Sequence, residues 1–436
     1  MAISYDEAVG ALASALTFGI HPSLEAITLL CDAMDRPQGS FASVQVTGTN
    51  GKTSVTRMVA ALLREQGARA GCYTSPHLDD YVERIEVDGV PVTRELFAAG
   101  VGAALRAARD AGIAAPTEFE LLTAAGLWVF RETGVEWAVL EVGMGGRWDA
   151  TSVVDAAVAV ITGVGLDHTA HLGSTREQIA ADKAHIIRAG SRAVLGPGTD
   201  GVEHVLLERA RGVGAHAYAV REKRSPSPVD EKMTVRFRTG GCDAPHGSVC
   251  VRIDTRDAAY EDIVLPGPAY QAGNAATAVA VAEAALGVPP DPATVRRALR
   301  GFRVPARFET VATDPRVIVD GSHNPQAAGV LATAIAEELG GDRPVVVLGV
   351  LADKDAHGII EALAPVAGGW IVTSPDSERA LPPDALGAVV REVTGAQARV
   401  VPDVADAVRA AVAAGGAPVV VTGSLVTAAQ ARRVFG

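Results

Sequence analysis

Short β-branched runs alternate with Ala-rich stretches of helical spacing along most of the chain. Ser43–Thr47 (SVQVT) predicts a strand, followed by a Gly-rich turn and a helix from about Thr53 to Gln66. Trp137–Val142, Ala157–Thr162 and Ala193–Leu195 predict further strands, and Arg94–Ala111, Phe119–Glu132 and Thr175–Ile187 predict helices. WAVLEV and AVAVIT are apolar at nearly every position rather than at alternate ones, the pattern of strands covered by helices on both faces. The expected class is α/β with a mostly parallel sheet.

The pattern changes between Val220 and Leu265. MTVRFR (Met233–Arg238) and SVCVRID (Ser248–Asp254) alternate in period two between turn residues, which predicts a small antiparallel β insert at about 220–265, exposed on one face. Helices return over Tyr270–Leu286 and Pro292–Arg300. From about Val304 a second β/α alternation begins, with strands expected at Val317–Asp320, Pro344–Gly349, Trp370–Thr373, Arg399–Val401 and Pro418–Thr422. The expected organisation is a larger domain over 1–301 carrying the insert, and a second, smaller Rossmann-like α/β domain over 302–436.

Composition narrows the possibilities. The chain has 436 residues, 48% hydrophobic and 21% charged, which excludes wholesale disorder. Lys+Arg 39 against Asp+Glu 51 leaves a net charge of −12, a poor footprint for binding nucleic acid. Cys31, Cys72, Cys242 and Cys250 form no CxxC pair and no regular framework, so a reducing cytoplasm is expected rather than a secreted disulfide scaffold. The N-terminal stretch lacks the basic start of a signal peptide, and no uncharged apolar run of about 20 residues predicts a membrane span.

The strongest chemical signal is Thr47-Gly48-Thr49-Asn50-Gly51-Lys52-Thr53-Ser54, placed after a strand and opening a helix. Glycines let backbone N–H groups approach phosphate oxygens, and a helix N-terminus favours an anion. Lys52 supplies a positive charge and Thr53 a hydroxyl for Mg²⁺. Val46 stands where the full P-loop consensus has glycine, so this is a shorter variant of that loop.

Other candidates have two readings each. Glu141, at the end of WAVLEV, suits a Mg²⁺ ligand or a cap on the adjoining glycine turn GMGG. His168, in GLDHTAHLG, is a candidate ligand just past a strand end, or a structural turn residue. Lys183 on its helix reads alone as a solvated charge, since a protonated amine cannot ligate Mg²⁺. Asp320, His323 and Asn324 in DGSHNP suit nucleotide contacts or helix capping. Arg307, in PARFE, is a candidate for phosphate.

Ten strings in order make the chain resemble the folylpolyglutamate synthase/dihydrofolate synthase family of the Mur ligase superfamily. They are FGIHPSLEAI, VTGTNGKTS, YTSPHLDDYVERIEVDG, LEVGMGGRWDATSVVD, ITGVGLDHTAHLG, DKAHIIRAG, NAATAVA, PARFE, DGSHNP and LGVLADKD. The resemblance implies a cytoplasmic, monomeric, ADP-forming ligase that joins L-glutamate to a folate-type acid, dihydropteroate or a reduced folate, through an acyl phosphate.

By the same resemblance, Gly48–Ser54 (Gly48, Thr49, Asn50, Gly51, Lys52, Thr53, Ser54) cradle ATP, with Lys52 on its phosphates. Thr53 and Glu141 hold a first Mg²⁺ and His168 a second. Lys183 matches the lysine that CO₂ converts to a carbamate able to bind metal. Asn274, Arg307 and Asp320 match nucleotide contacts, with His323 beside them. Closure of the second domain about a hinge near Gly301–Val304 is implied. Thr117, Glu118, Phe119, Glu120 and Trp148 fall on the acid substrate's side.

Three departures stand out. Thr53 follows the lysine where many members have glycine, and Ser152 stands in DATS where DATN is usual. Glu118 puts a charge where an aromatic ring normally precedes Phe-Glu at the pterin pocket. This last difference keeps one alternative open, a related ligase acting on a non-pterin acid; a separate alternative, a nucleotide-dependent binding module without ligation, would not need Glu141, His168 and Lys183 together. A peptidoglycan ligase proper would need a UDP-binding domain before the P-loop, and only 47 residues precede Gly48.

Overall fold

The apolar runs assemble into two sheets, one in each of two units of a computed structural model that describes residues 3–15, 22–245 and 247–436. One unit comprises Met1–Asp243, Cys250–Leu265 and Ala272–Phe302; the other comprises Ala244–Val249, Pro266–Gln271 and Arg303–Gly436. The class is the α/β class read from the sequence: a large, mostly parallel sheet and a second, smaller one.

The larger sheet has eleven strands. They are β1 (Ala42–Thr47), β2 (Ala70–Tyr73), β3 (Ile85–Val87), β4 (Val90–Pro91), β5 (Trp137–Glu141), β6 (Val158–Gly163), β7 (Arg192–Gly198), β8 (His216–Glu222), β9 (Thr234–Thr239), β10 (Ser248–Asp254) and β11 (Ala259–Pro266). Their order is β11-β10-β9-β8-β7-β6-β1-β5-β2-β3-β4. Strand β1 runs parallel to both β5 and β6, with Val44 opposite Val139 on one side and Val158 on the other. These valines are fully buried, as expected of strands covered on both faces.

The chain leaves β1 toward β2, on the β5 side, and leaves β6 toward β7, on the other side. The carboxyl ends of β1, β5 and β6 are therefore neighbours at a topological switch point, where open α/β sheets bind ligands. One flank of the sheet carries the helix Lys52–Glu65, which buries Val55, Met58, Val59, Leu62 and Leu63. A separate core gathers Phe97, Leu121, Leu122 and Phe130 with Ala8, Leu12, Ile27 and Leu30 from the helices Tyr5–Ser14 and Glu25–Ala33. Residues 18–21 of FGIHPSLEAI lie outside the described residues.

The strands between 216 and 266 extend the main sheet instead of standing apart from it. Strand β8 is parallel to β7 and β9 is parallel to β8, so antiparallel pairing begins only where β10 meets β9. Period-two alternation reports one buried face; it does not report strand direction or which sheet a strand joins. Across this reversal Cys242 and Cys250 form a disulfide, eight residues apart with Cα atoms 5.9 Å apart. One disulfide is not the regular framework of a secreted scaffold, and Cys31 and Cys72 stay free; Cys242 and Cys250 meet through the strand turn and not through a local motif.

The second unit holds β12 (Glu309–Thr313), β13 (Arg316–Val319), β14 (Val345–Leu348), β15 (Gly369–Val372), β16 (Arg399–Val400) and β17 (Val419–Thr422) in the order β12-β13-β17-β14-β15-β16. Strand β12 is antiparallel to β13, and the remaining pairs are parallel. Its core includes Ile318, Leu331, Val346, Leu348, Ile360 and Trp370. Among the described residues no helix is long and apolar enough to cross a membrane.

Candidate active site

Strand β1 ends at Thr47 and the chain turns through Gly48 to the helix Lys52–Glu65. Gly48 has φ +155°, and a Cβ there would lie 1.9 Å from Thr162 Oγ1, so only glycine fits. Gly51, at φ +84°, would meet Asn274 Oδ1 at 2.8 Å. The loop is fastened to β6 and to the residues just beyond that strand. Thr49 N–H donates to Gly163 O at 2.9 Å, Gly165 N–H to Thr49 Oγ1 at 2.9 Å, and Thr162 Oγ1 to Asn50 O at 2.6 Å and Thr47 O at 3.3 Å. Lys52 Nζ lies over the loop, donating to Gly48 O at 2.9 Å and Thr49 O at 3.3 Å. Ser54 is buried in the helix's first turn. Together these give a cation and a helix N-terminus facing one concave loop, an arrangement suited to phosphate.

Glu141 is buried at the end of β5. Its Oε1 accepts from Thr53 Oγ1 at 2.9 Å and its Oε2 from Ser75 N–H at 3.3 Å. The adjoining glycine turn, whose cap was the other reading for Glu141, is held instead by Asp149. Asp149 accepts from Gly143 N–H (2.9 Å), Met144 N–H (3.1 Å), Thr151 N–H (3.0 Å) and Thr151 Oγ1 (2.6 Å). Burial pushes its carboxyl above the usual range, and those hydrogen bonds oppose the shift. Ser152 adds to the same turn, donating to Gly146 O at 2.6 Å and accepting from Gln45 Nε2 at 2.8 Å. An acid just beyond a Gly-X-Gly-Gly turn was the available signal.

Lys183 ends the helix Arg176–Lys183 and is buried, so it is not a solvated surface charge. Its amine is pushed down to about 7, first by burial and then by the charge of Lys52, while Asp182, Asp167 and Asp149 pull the other way. The glycine turn packs on this helix end: a Cβ on Gly146 would lie 2.9 Å from Lys183 O. His168 precedes the short helix Thr169–Leu172 with φ 51°, its side chain part exposed and its Nε2 4.0 Å from Asp167 Oδ1. Among the described residues Glu141 and His168 do not close with a third acid, thiol or imidazole into one cluster. The hydroxyl of Thr53 and the carboxylate of Glu141 are nevertheless the hard oxygen donors a divalent cation such as Mg²⁺ prefers.

Thr117 and Glu120 cap the helix Glu118–Glu132 reciprocally: Thr117 N–H donates to Glu120 Oε2 at 2.8 Å and Glu120 N–H to Thr117 Oγ1 at 3.2 Å. Phe119 has its ring 6.2 Å from that of Tyr73 and packs where a Gly143 side chain would be. Glu118 does not stand as a lone charge. Its Oε1 accepts from Tyr81 OH at 2.9 Å and lies 3.8 Å from the Arg84 guanidinium. Arg84 in turn donates through Nε to His77 Nδ1 at 2.9 Å. Burial and the Arg84 charge push His77 down to about 4, so it accepts as a neutral ring. Tyr81, Arg84 and His77 all lie in YTSPHLDDYVERIEVDG, where their spacing alone does not signal this chain of contacts. Trp148 is exposed, with the Arg147 guanidinium 4.7 Å above its ring.

In the second unit, buried Asp320 accepts from Phe308 N–H and Ser322 N–H, both at 2.8 Å. This ties the loop after β13 to the stretch carrying Arg307. Ala306 and Phe308, on either side of Arg307, both have positive φ (55° and 47°), a rare conformation that tends to persist where function demands it. Arg307 lies against Gly321, where a Cβ would sit 2.6 Å from its Nη1. His323 Nδ1 is 2.9 Å from Gly321 O. The capping role falls to Asn324, whose Oδ1 accepts from Ala327 N–H at 2.8 Å.

Comparison with known proteins fits this geometry. Residues 46–282 match the Mur ligase middle domain and residues 306–425 the Mur ligase glutamate ligase domain. The dihydrofolate synthase/folylpolyglutamate synthase of Mycobacterium tuberculosis (strain ATCC 25618 / H37Rv) is 37% identical, over 96% of this chain and 91% of the relative. The M. tuberculosis folylpolyglutamate synthase solved with ADP and AMPPCP superposes with a TM-score of 0.91 at 35% identity, covering 99% of this chain and 98% of that one. E. coli FolC in complex with DHPP and ADP gives 0.86 at 29% identity, covering 99% and 98%. A bifunctional folylpolyglutamate synthase/dihydrofolate synthase with Mn, AMPPNP and L-glutamate bound gives 0.83 at 27% identity, covering 98% and 97%.

Proposed function

The chain belongs to the folylpolyglutamate synthase/dihydrofolate synthase family of Mur ligases and is an ATP-dependent ligase that adds L-glutamate to a folate-type carboxylic acid; we propose that it does so through an acyl phosphate formed at the loops that follow β1, β5 and β6. The observation that carries this reading is the 2.9 Å contact between Thr53 and Glu141, which joins the start of the phosphate-binding helix to a buried acid on the next strand.

A carboxylate is a poor electrophile because its leaving group would be oxide. Transfer of the γ-phosphoryl group of ATP onto it, with release of ADP, gives an acyl phosphate. The amine of glutamate then attacks the carbonyl carbon, phosphate leaves, and an amide remains. The protein's part is positioning and charge neutralisation. Lys52 and the N–H groups of Gly48–Thr53 orient and neutralise the phosphates, and Asn274 lies beside that loop at Gly51. Thr53 and Glu141 are the proposed holders of a first Mg²⁺, with His168 and a carbamate on Lys183 for a second. When bound, these ions supply positive charge to the phosphoryl oxygens.

The buried Lys183 amine, held down in part by the charge of Lys52, supports the carbamate. Adding CO₂ to the neutral Lys183 amine and releasing a proton replaces a repulsion from Lys52 with an attraction. Arg307, Asp320 and His323 are the second unit's proposed nucleotide contacts, supported by the strained backbone that presents Arg307.

The acid-binding residues proposed are Thr117, Glu118, Phe119, Glu120 and Trp148. The pairing of Glu118 with Arg84 and Tyr81, which keeps it from being a lone charge, supports a folate-type acid over a non-pterin one. The net charge of −12 and the family's character support small-molecule substrates, a cytoplasmic setting and a monomer that binds no nucleic acid.

The test is ADP release with ATP and Mg²⁺ while dihydropteroate, tetrahydrofolate and L-glutamate are varied. Turnover should require both an acid and glutamate, and hydroxylamine should trap an acyl hydroxamate. ATP binding without ADP formation on any pteridine would refute the folate assignment.

A further inference from the structure

The reversal between β9 and β10 brings together three groups that the ligase chemistry leaves unused. Cys242 follows β9 and Cys250 lies within β10; the adjacent strand β11 carries Asp262. The two sulfurs and a carboxylate oxygen of Asp262 all lie within 4.8 Å of one another, the only such trio among the described residues. Strands β7 and β8 stand between this corner and β6 in the sheet order, so it is not part of the nucleotide loop.

Asp262 has φ 55° in the middle of a strand, a backbone state that aspartate tolerates better than most residues. Among the described residues its carboxylate has no hydrogen-bond or ion-pair partner. Cys250 is buried, Cys242 is half-buried and Asp262 is exposed, which leaves the trio open to solvent on the acid's side.

We propose that reduction of the Cys242–Cys250 bond turns this corner into a binding site for a thiophilic divalent cation of the Zn²⁺ class, with Cys242, Cys250 and Asp262 as its protein ligands. Two thiolates and a carboxylate are a donor set that Zn²⁺ accepts, with a fourth position left to water. A dithiol reductant gives two electrons and two protons to the sulfur–sulfur bond and becomes a disulfide itself, leaving two thiols. The cation keeps its charge, binds both sulfurs as thiolates and releases the two thiol protons to solvent. The strand reversal is then cross-linked in either redox state, by a covalent bond when oxidised and through the metal when reduced.

The test compares oxidised protein with protein reduced by dithiothreitol and desalted without air. Both are titrated with Zn²⁺ against a chromogenic chelator. The reduced form should take one more Zn²⁺ per chain than the oxidised form, a difference that cancels any metal held at the nucleotide loop. Co²⁺ in its place should add a thiolate-to-metal absorption band in the near ultraviolet. Asp262→Asn keeps both thiols and should weaken the extra site at least about tenfold. Cys242→Ser should abolish it, with circular dichroism confirming the fold. Equal stoichiometry in the two redox states, or full affinity in Asp262→Asn, would overturn the proposal.

Discussion

Thr53 Oγ1 stands 2.9 Å from Glu141 Oε1, linking the first turn of one helix to the carboxyl end of a strand 88 residues away. If the pair holds a divalent cation, Thr53→Val removes a donor without changing side-chain shape. The Mg²⁺ concentration giving half-maximal ADP release should rise at least about tenfold. An unchanged Mg²⁺ dependence would show that the contact only braces the loop.

Burial and the charge of Lys52 push the Lys183 amine down to about 7 from its ordinary 10.5. A lowered lysine value means that the folded state favours the neutral amine. The native state therefore gains stability as pH rises from about 7 to 10.5 and carries the burial penalty in full below that window. Melting temperature followed across this range should climb more steeply for the wild type than for Lys183→Met, which has nothing to titrate there. Parallel curves would contradict the buried position.

Carbamate formation makes a separate claim about the same residue. Protein equilibrated with ¹³C-labelled CO₂ should show a carbamate carbon resonance that Lys183→Ala lacks. Activity should fall in both Lys183→Ala and Lys183→Arg, because a guanidinium cannot take up CO₂. A fully active arginine variant would rule out a requirement for the carbamate.

Glu118 balances Arg84 and accepts from Tyr81. Glu118→Gln keeps the size and drops the charge, leaving a buried guanidinium short of a carboxylate. The expected cost is about 1 kcal/mol of stability, together with a higher KM for the acid substrate and an unchanged KM for ATP. A change confined to the ATP parameter would move Glu118 out of the acid pocket.

Gly48→Ala places a methyl group against Thr162 Oγ1 in a backbone state unsuited to alanine. Loop displacement should weaken nucleotide binding at least about tenfold and lower stability by about 1 kcal/mol or more, readable by fluorescent-nucleotide titration and thermal melting. Normal nucleotide affinity in this variant would separate the loop from phosphate binding.

The sheet centre was legible because β1, β5 and β6 are covered on both faces and leave near-continuous apolar runs in the chain. The phosphate loop was legible because its glycines, lysine and threonine are contiguous. The burial of Lys183 was not legible from its own segment: its neighbours Asp182 and Ala184 resemble any helix surface, and the glycine turn that packs on that helix end comes from a distant segment. Asp149 escaped for a related reason, since its four donors are backbone and hydroxyl groups whose convergence is set by a turn. The disulfide stayed hidden because Cys242 and Cys250 share no local motif and come within 5.9 Å (Cα to Cα) only where β10 folds back on β9.

Thr162 reaches carbonyl oxygens at both ends of the phosphate loop, Thr47 O and Asn50 O, from a neighbouring strand. The curvature of that loop is thus moulded by β6 before any nucleotide arrives. Binding orders little new backbone, so nucleotide affinity there is not diminished by a loss of chain entropy of about 1–2 kcal/mol for each residue that would otherwise have to be fixed.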